Sequence, residues 1–400
     1  MSEINSTLIS EGKKNLKDFF VNFSDTNPPP LNLVQKIDKK PRYYQINGVR
    51  VACQYIKNGF TRLLYIQPTG TGKTLLSKLT ALDKDIRKAL KIDHKEKIRV
   101  LFIADSNKLL RQAEVEFSDC HDVELITHSA FKEIPAEVLA EGWDLTFIDE
   151  AHHEAMFSIQ QLLEHVKDLP VFGFTATPDR GDGLLLKFER YIFSISKEEA
   201  IRRKFISTPN INSIIDTSGN NKVAICTEIV DLYHEQMDNT IVYFKTNQEC
   251  KEFLDFCTMR GFSAYWLTND KEMDEILERY SNGEFKFLIN CKKLGEGIDI
   301  KNCTHVLLAR NFNSKGEKEQ YIGRAIRPDS ECNVWEFVNP IQNNVLAKAI
   351  FSVVKMHRLI YKQHGEWFEK IIEENKDEDI YDLEYLEKLE IQEENEMLAI

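Results

Sequence analysis

A glycine-rich loop near residue 70 has the residue types and spacing that bind a nucleoside triphosphate. The segment "YIQPTGTGKTLL" runs from an apolar strand through the loop into an apolar helix start. Its glycines let backbone N–H groups turn inward and cradle phosphate oxygens. Lys73 is expected to reach the β- and γ-phosphates, and the Thr74 hydroxyl to bind Mg²⁺. Gln67 stands where the strict motif has glycine. The predicted phosphate loop comprises Pro68, Thr69, Gly70, Thr71, Gly72, Lys73 and Thr74.

A second candidate site is the acidic pair in "LTFIDEAHHEAMF", which also follows an apolar run. Asp149 is placed to hold Mg²⁺ through its water shell, and Glu150 to orient and deprotonate an attacking water. A metal site built on His152 and His153 is one alternative, but adjacent histidines point in different directions and the H-E-x-x-H spacing is absent. A surface helix with an acidic first turn is another. The phosphate loop earlier in the chain favours the carboxylate site.

Two later motifs extend this pattern. In "FTATPDRGDG", small hydroxyl residues follow a strand, where they can bridge the carboxylate motif to a neighbouring domain. In "EQYIGRAIRPD", Arg324 and Arg327 are three apart, so one helical turn puts both on one face. Arginines that a second domain directs at a nucleotide are worth about 10³–10⁵ in rate in other hydrolases. An isolated arginine pair would instead be a surface salt-bridge pair.

The elements that position these residues follow an alternating pattern. From Pro41 onward, short apolar runs are separated by helical stretches, which predicts βαβ units with buried parallel strands. A polar passage over residues 207–222 is predicted to be a linker, after which the alternation resumes. Two α/β units result. The predicted strands lie in "RLLYIQ", "IRVLFIAD", "VELITH", "LTFIDE", "PVFGFTAT", "NTIVYFKT", "FSAYWLT", "FKFLINC", "THVLLAR" and "NVWEFVN".

The two ends of the chain have a different composition. The first forty residues contain "NPPPLN" and are predicted to be an extension, partly disordered or draped on the surface. After Pro340, apolar residues at helical spacing predict a helical tail. Residues 366–400 carry a net charge of −11 out of −12 for the whole chain, so the body is near neutral. We expect the tail to be an amphipathic helix packed on the body, or a helix that binds a protein partner.

Composition also limits the class of protein. No apolar run approaches the roughly 18 residues of a membrane span, and the first twenty residues lack the features of a signal peptide. The eight cysteines are scattered without a C-x-x-C pair, which gives no support to a zinc ribbon or a disulfide framework. An intracellular, reduced compartment and no membrane partner are expected.

With these motifs in order, the chain resembles a superfamily 2 helicase over roughly residues 41–340. The combination of a DEAH box with "TATPDRGDG" is most similar to the branch of XPB-type helicases, phage UvsW-type helicases and restriction-enzyme motor subunits. The resemblance implies ATP and Mg²⁺ as cofactors and two tandem RecA-like domains, each a mostly parallel sheet flanked by helices. The implied division is 1–40 extension, 41–208 first domain, 209–342 second domain and 343–400 helical acidic tail.

The resemblance also implies roles for individual residues. Arg42 and Gln45 match a segment that reads adenine, Asp299 matches a residue near the ribose, and Gly297 matches a backbone contact. Catalysis is assigned to the phosphate-loop lysine, the acidic pair and a γ-phosphate sensor with two arginines: Lys73, Asp149, Glu150, Gln320, Arg324 and Arg327. Coupling is assigned to His152, Thr175 and Thr177. Nucleic-acid contacts are assigned to Asp105, Ser106, Asn107, Thr127, His128, Phe244, Lys245, Thr246 and Lys292. Tyr321 stands where some relatives carry another arginine.

The function expected from this resemblance is ATP-dependent movement along, or remodelling of, forked, branched or duplex DNA. An RNA helicase is the first alternative, because the motor motifs do not separate DNA from RNA. The second is a nucleic-acid sensor or scaffold that hydrolyses ATP without unwinding. A simple P-loop kinase is remote, because the arginine pair in a second unit argues against it.

Overall fold

The computed structural model describes residues 26–129, 132, 135, 142–152, 157–165, 169–176, 188–215, 222–269, 272–291, 294, 300–312, 315–324, 331–338, 347, 350–351 and 354–372. The chain divides into a first unit, Met1–Glu199, and a second unit, Ala200–Ile400. This division precedes the expected boundary after residue 208. The expected residues Thr177, Lys292, Gly297, Asp299 and Arg327 lie outside the described residues, as do residues 1–25 and 373–400.

The first unit contains a six-stranded sheet in the order β3-β2-β4-β5-β1-β6, and every described pairing is parallel. The predicted strands of this half are confirmed. Its strands are β1 (Arg62–Ile66), β2 (Ile98–Ala104), β3 (Val123–Ser129), β4 (Leu145–Asp149), β5 (Val171–Thr175) and β6 (Arg190–Phe193). Its helices are α1 (Tyr43–Lys57), α2 (Lys73–Leu82), α3 (Lys84–Ala89), α4 (Asn107–Phe117) and α5 (Phe157–His165), and α6 (Lys197–Arg202) spans the division.

Apolar side chains cover both faces of the first sheet. One face packs with α1, α2, α3 and α4 around Tyr65, Phe102 and Phe147, and the other packs around Leu64, Ile103 and Leu162. The central strands are therefore buried on both faces, which explains their continuous apolar runs. The carboxyl ends of parallel strands meet at one edge, where α/β folds bind ligands. The phosphate loop and Asp149 both lie at this edge.

The described part of the N-terminal extension lies along the first unit. Val34 N donates to the carbonyl of Leu82 at 2.9 Å, and Lys84 N donates to the carbonyl of Asn32 at 2.8 Å. Gln35 Nε2 donates to the carbonyl of Asp119 at 2.8 Å. Residues 26–40 are thus held by hydrogen bonds to the α2–α3 connection and to the end of α4.

The second unit contains an eight-stranded sheet in the order β14-β13-β7-β12-β11-β8-β10-β9. Its strands are β7 (Pro209–Ile215), β8 (Thr240–Phe244), β9 (Ala264–Trp266), β10 (Phe287–Asn290), β11 (His305–Ala309), β12 (Cys332–Val338), β13 (Met356–Gln363) and β14 (Glu366–Ile372). Its helices are α7 (Lys222–Tyr233), α8 (Asn247–Arg260), α9 (Met273–Ser281) and α10 (Lys315–Ile322). Among these strands, the only antiparallel pairing described is β13 with β14.

The prediction of a linker over residues 207–222 was wrong for its first half. Residues 209–215 form β7, which pairs with β12 on one side and β13 on the other. Three of the polar residues that suggested a linker, Asn210, Asn212 and Ser213, are buried and hydrogen-bonded. Asn210 Nδ2 donates to Asn333 Oδ1 at 2.8 Å, and Ser213 Oγ donates to Glu336 Oε1 at 2.8 Å. Polar side chains are tolerated in a central strand when they find such partners.

The prediction of a helical tail was wrong over residues 356–372, which form the β13–β14 hairpin. The two-residue turn consists of His364 and Gly365, with φ of 51° and 81°. Two consecutive residues with positive φ give the turn whose twist matches antiparallel strands. The segment therefore forms a hairpin, although its apolar residues have helical spacing. No described helix is long and apolar enough to cross a membrane.

Candidate nucleotide and nucleic-acid sites

The phosphate loop joins the end of β1 to the first turn of α2. Gly70 and Gly72 have φ of 81° and 88°, a region that glycine adopts without strain. A Cβ atom at residue 72 would lie 3.0 Å from Gln45 Nε2, so the loop also needs glycine for space. Gly72 is the N-cap of α2 and has no side chain to cover the helix N-terminus. The first-turn N–H groups and the helix dipole there favour an anion.

Side chains from α1 and from the residue after β1 donate hydrogen bonds to the carbonyls of this loop. The Tyr44 hydroxyl donates to the carbonyl of Thr71 at 2.6 Å, and Gln67 Nε2 donates to the same carbonyl at 2.8 Å. Gln45 Nε2 donates to the carbonyl of Gly72 at 3.0 Å. Gln67 therefore departs from the motif in a way that adds a hydrogen bond to the loop. The predicted adenine-reading segment is tied directly to the phosphate loop.

The acidic pair lies at the carboxyl end of β4. Lys73 Nζ is 2.7 Å from Glu150 Oε1, and both side chains are 12% exposed. Glu150 has a φ of 47°, a left-handed conformation that is strained for a non-glycine residue. Its N–H donates to Asp149 Oδ1 at 3.0 Å. Burial, together with the Glu150 carboxylate, raises the pKa of Asp149 to about 6, and Lys73 partly opposes this rise.

These residues fit ATP and Mg²⁺ by their chemistry. An open helix N-terminus and Lys73 suit phosphate oxygens. The Thr74 hydroxyl and the Asp149 carboxylate supply the oxygen ligands that Mg²⁺ prefers. Two adjacent carboxylates of limited exposure repel one another, and a cation beside them relieves that repulsion.

His152 contacts the third motif, as expected for a coupling residue. Its Nδ1 lies 3.2 Å from the Thr175 hydroxyl at the end of β5 and 3.5 Å from Glu150 Oε2. Thr175 is fully buried. The histidine thus hydrogen-bonds to Thr175 of the "TAT" segment and lies beside the Glu150 carboxylate. Its role in coupling stays a prediction.

The second unit places Gln320 and Arg324 at the end of α10. Gln320 is half-buried and Arg324 is 7% exposed. Burial raises the pKa of the Tyr243 phenol, and the nearby Arg324 guanidinium opposes that effect. Tyr321 forms an edge-to-face contact with Tyr243 at 4.6 Å. Tyr321 is therefore part of an aromatic cluster beside Arg324.

In the first unit, the predicted nucleic-acid contacts lie at the start of α4 and in β3. Ser106 is the N-cap of α4 and its hydroxyl accepts from Leu109 N at 3.3 Å, while Asn107 is exposed. Thr127 Oγ1 donates to Glu114 Oε1 at 2.7 Å, and His128 Nδ1 is 2.9 Å from the carbonyl of Ser129.

Asp105 differs from its neighbours in this group. The residue is 8% exposed, and a buried carboxylate would repel a nucleic-acid phosphate. A contact by its side chain is therefore disfavoured. Lys108 and Arg111 follow in the first turns of α4. The sequence-based assignment of nucleic-acid contacts did not include these two basic residues, although both are visible in the segment "SNKLLRQ".

In the second unit, the predicted nucleic-acid contact at Phe244 does not involve an exposed ring. Phe244 is fully buried and packs on Phe253 at 5.3 Å in the core of the unit. Thr246 caps α8, and Glu249 Oε2 accepts from Thr246 N at 2.7 Å and from Lys245 N at 3.1 Å. A phosphate at this helix end would compete with Glu249. Lys245 is the exposed cation of this segment.

Two family models match the chain. The model described as "Type III restriction enzyme, res subunit" matches residues 38–133 and 123–180, and "Helicase conserved C-terminal domain" matches residues 221–329. IRC3 of Saccharomyces cerevisiae, whose name assigns it provisionally to the ATP-dependent helicases, is 23% identical over 354 residues. That alignment covers 74% of this chain and 51% of IRC3. The chain thus spans about half the length of this relative.

Two solved structures have the same fold. The ATP-dependent Type ISP restriction-modification enzyme LlaBIII, bound to DNA, aligns with a TM-score of 0.56 and 18% identity, over 78% of this chain and 28% of that chain. The DEAD-box helicase Mss116, bound to ssRNA, aligns with a TM-score of 0.56 and 15% identity, over 80% of this chain and 74% of that chain. At these identities the likeness concerns the fold alone.

Proposed function

We propose that the chain, which belongs to the superfamily 2 helicases in the branch of the restriction-enzyme motors, is a DNA-stimulated ATPase that moves along or remodels DNA. The observation that carries the ATPase part is the 2.7 Å contact between Lys73 and Glu150. It brings the phosphate-loop lysine and the proposed base together at the carboxyl edge of one sheet. DNA is favoured over RNA because the family model that matches the first unit describes a restriction-enzyme subunit.

The residues of the first unit divide the work of hydrolysis. The N–H groups of the loop and Lys73 would hold the phosphates, and Thr74 and Asp149 would hold Mg²⁺. Bound Mg²⁺ would neutralise charge on the phosphate oxygens. Glu150 would accept the proton of the attacking water, a role in which a positioned side chain contributes about 10²–10⁴-fold. Arg42 and Gln45 would contact the base.

The second unit would supply Gln320, Arg324 and Arg327 to stabilise charge on the transferred phosphate. Arginines in this role act electrostatically and need no proton transfer. Asp299 would lie near the ribose, and Gly297 would make a backbone contact. The roles of all five residues are proposed from the family resemblance.

Contacts with nucleic acid would be made mainly to its phosphates. Ser106, Asn107 and His128 in the first unit and Lys245 in the second are suited to such contacts, which carry no base sequence. Binding should therefore be salt-sensitive and largely independent of sequence. A protein partner for the acidic tail is a separate proposal.

The experiment is a comparison of ATP hydrolysis with single-stranded DNA, duplex DNA, forked DNA and RNA, each at several salt concentrations. We expect stimulation by DNA that weakens as salt rises. Stimulation by RNA alone would identify RNA, and not DNA, as the substrate. Mss116, which has the same fold, is bound to ssRNA. Stimulation without strand displacement on forked DNA would identify a sensor or translocase that does not unwind. No stimulation by any nucleic acid would contradict the motor function.

A further inference from the structure

A buried ion pair joins α10 to the neighbouring strand β12. Lys318 Nζ contacts Glu336 Oε2, and the two side chains are 1% and 0% exposed. Lys318 lies two residues before Gln320 on the same helix. Lys318 is therefore part of the element that carries Gln320 and leads into Arg324, although neither Lys318 nor Glu336 lies in the motifs quoted above.

Glu336 is the centre of a larger buried network. Its Oε2 also accepts from Ala347 N at 2.8 Å, and its Oε1 accepts from Ser213 Oγ at 2.8 Å. Ser213 Oγ is in turn 3.0 Å from His357 Nε2 on β13. One carboxylate thus joins α10 to β7, to the segment after β12 and, through Ser213, to the hairpin.

Stability alone does not explain this arrangement. Burying two charges is costly, and a buried ion pair is often no more stabilising than apolar residues of the same volume. Such pairs are best attested where they determine a register or orientation. The α10 sequence, "KGEKEQYI", is mostly polar, and its buried apolar side chains, Tyr321 and Ile322, both lie in its last turn. Charged contacts therefore add control over the rotation of the preceding part of this helix.

A second contact holds α10 from β11. Arg310, just after β11, has Nη2 3.0 Å from Glu317 Oε1 and Nη1 3.3 Å from the Tyr321 hydroxyl. Glu317 and Tyr321 are four residues apart and share one helix face. Lys318 projects from a different side, so α10 is held on two sides by charged groups from adjacent strands.

We propose that Lys318 and Glu336 are positioning residues that set the rotation of α10, and with it the orientation of Gln320 and Arg324. The functional part of this inference rests on the proposed ATP hydrolysis. Side-chain ends lie about 5–6 Å from a helix axis, so a rotation of about 20° moves them by about 2 Å. A displacement of about 1 Å in a catalytic group can cost about 10²-fold in rate.

The test compares Glu336→Gln, Lys318→Met and the double variant Lys318→Met/Glu336→Gln. Each single variant leaves a buried group without its partner, so we expect both a lower melting temperature and a lower kcat. The double variant removes both charges, so its melting temperature should recover towards wild type. Its kcat should stay at least about 10-fold low, because the orientation of the helix is lost, while KM for ATP stays within about 2-fold.

Hydrogen–deuterium exchange provides a readout that is independent of activity. The double variant should exchange faster in the peptide over Lys315–Ile322, with α8 (Asn247–Arg260) unchanged. The control is Lys362→Met/Glu228→Gln, a pair in the same unit that is 2.7 Å apart and 40% and 44% exposed. We expect this control to match wild type in kcat and in exchange.

Recovery of kcat together with stability in the double variant would overturn the positioning role. Unchanged exchange in α10 would overturn it too. If the wild-type protein does not hydrolyse ATP, the proposed function fails, and exchange in α10 still decides whether the pair holds the helix.

Discussion

Lys73 and Glu150 form an ion pair of 2.7 Å in which both side chains are 12% exposed. One residue belongs to the phosphate loop and the other to the acidic motif at the end of β4, and the pair joins the two motifs. Under the proposed function, Lys73 would have to turn from Glu150 to reach a phosphate. The same movement would free the carboxylate to act as a base. We therefore propose that phosphate binding and the activation of Glu150 are linked through the Lys73 ammonium group.

Glu150→Gln should hydrolyse ATP at least about 10²-fold more slowly than wild type, because an amide cannot accept the proton of water. It should bind ATP at least as tightly, because a neutral amide competes less well for Lys73. Single-turnover hydrolysis and titration with a fluorescent ATP analogue measure the two effects. Glu164→Gln, at an exposed position of the same unit, is the control. Near-normal turnover in Glu150→Gln would remove the residue from its assigned role.

Tyr44→Phe should weaken ATP binding by about 5–10-fold, with a smaller effect on kcat. The Tyr44 side chain is fully buried, and the variant loses its 2.6 Å hydrogen bond to the carbonyl of Thr71. The loss of such a bond corresponds to about 1 kcal/mol. Tyr43→Phe is the matched control, because its hydroxyl makes a long contact of 3.5 Å with Glu199. Equal losses in both variants would argue against the brace on the phosphate loop.

Lys245→Gln should weaken binding to single-stranded DNA uniformly across sequences. The exposed ammonium is expected to neutralise one phosphate, so the slope of log Kd against log salt should change by about 1. Thr246→Ala should instead lower the stability of the protein by about 1 kcal/mol, because the hydroxyl caps α8. Fluorescence anisotropy and urea unfolding separate the two effects. A salt slope unchanged in Lys245→Gln would exclude this phosphate contact.

His305 should make the protein less stable in mild acid. Burial lowers the pKa of this histidine from 6.5 to about 4, and its Nδ1 lies 3.0 Å from the Thr304 hydroxyl. The unfolded chain then binds a proton that the folded chain does not, so stability falls as the pH drops from about 6.5 to about 4. The loss is up to about 3 kcal/mol.

Urea unfolding at pH 7.5 and pH 5 measures this dependence. His305→Asn should lose less stability between the two pH values than wild type does, whatever its stability at pH 7.5. His121→Asn, at an exposed position, should behave as wild type. An identical pH dependence in His305→Asn and wild type would contradict the assignment.

Local patterns in the sequence were sufficient for the parallel strands β1–β5 and β8–β12, but not for β6 or β7, and for placing the phosphate loop and Asp149 at one sheet edge. Continuous apolar runs identify strands that are buried on both faces, as β1 and β4 are. Glycines followed by Lys73 identify a loop whose conformation depends on its own residues. Asp149 ends a strand, and the carboxyl ends of parallel strands share one edge. Each of these inferences needs only neighbouring residues and a rule of chain geometry.

The tertiary structure decided where several polar and apolar residues lie. Asn210 and Ser213 looked like linker residues, but β12 supplies their hydrogen-bond partners more than a hundred residues later in the chain. Phe244 lies next to an exposed lysine in the sequence, yet its ring belongs to the core. The β13–β14 hairpin forms because β7 offers a strand edge to pair with. Burial depends on partners that are distant in sequence, and local spacing of residue types does not identify them.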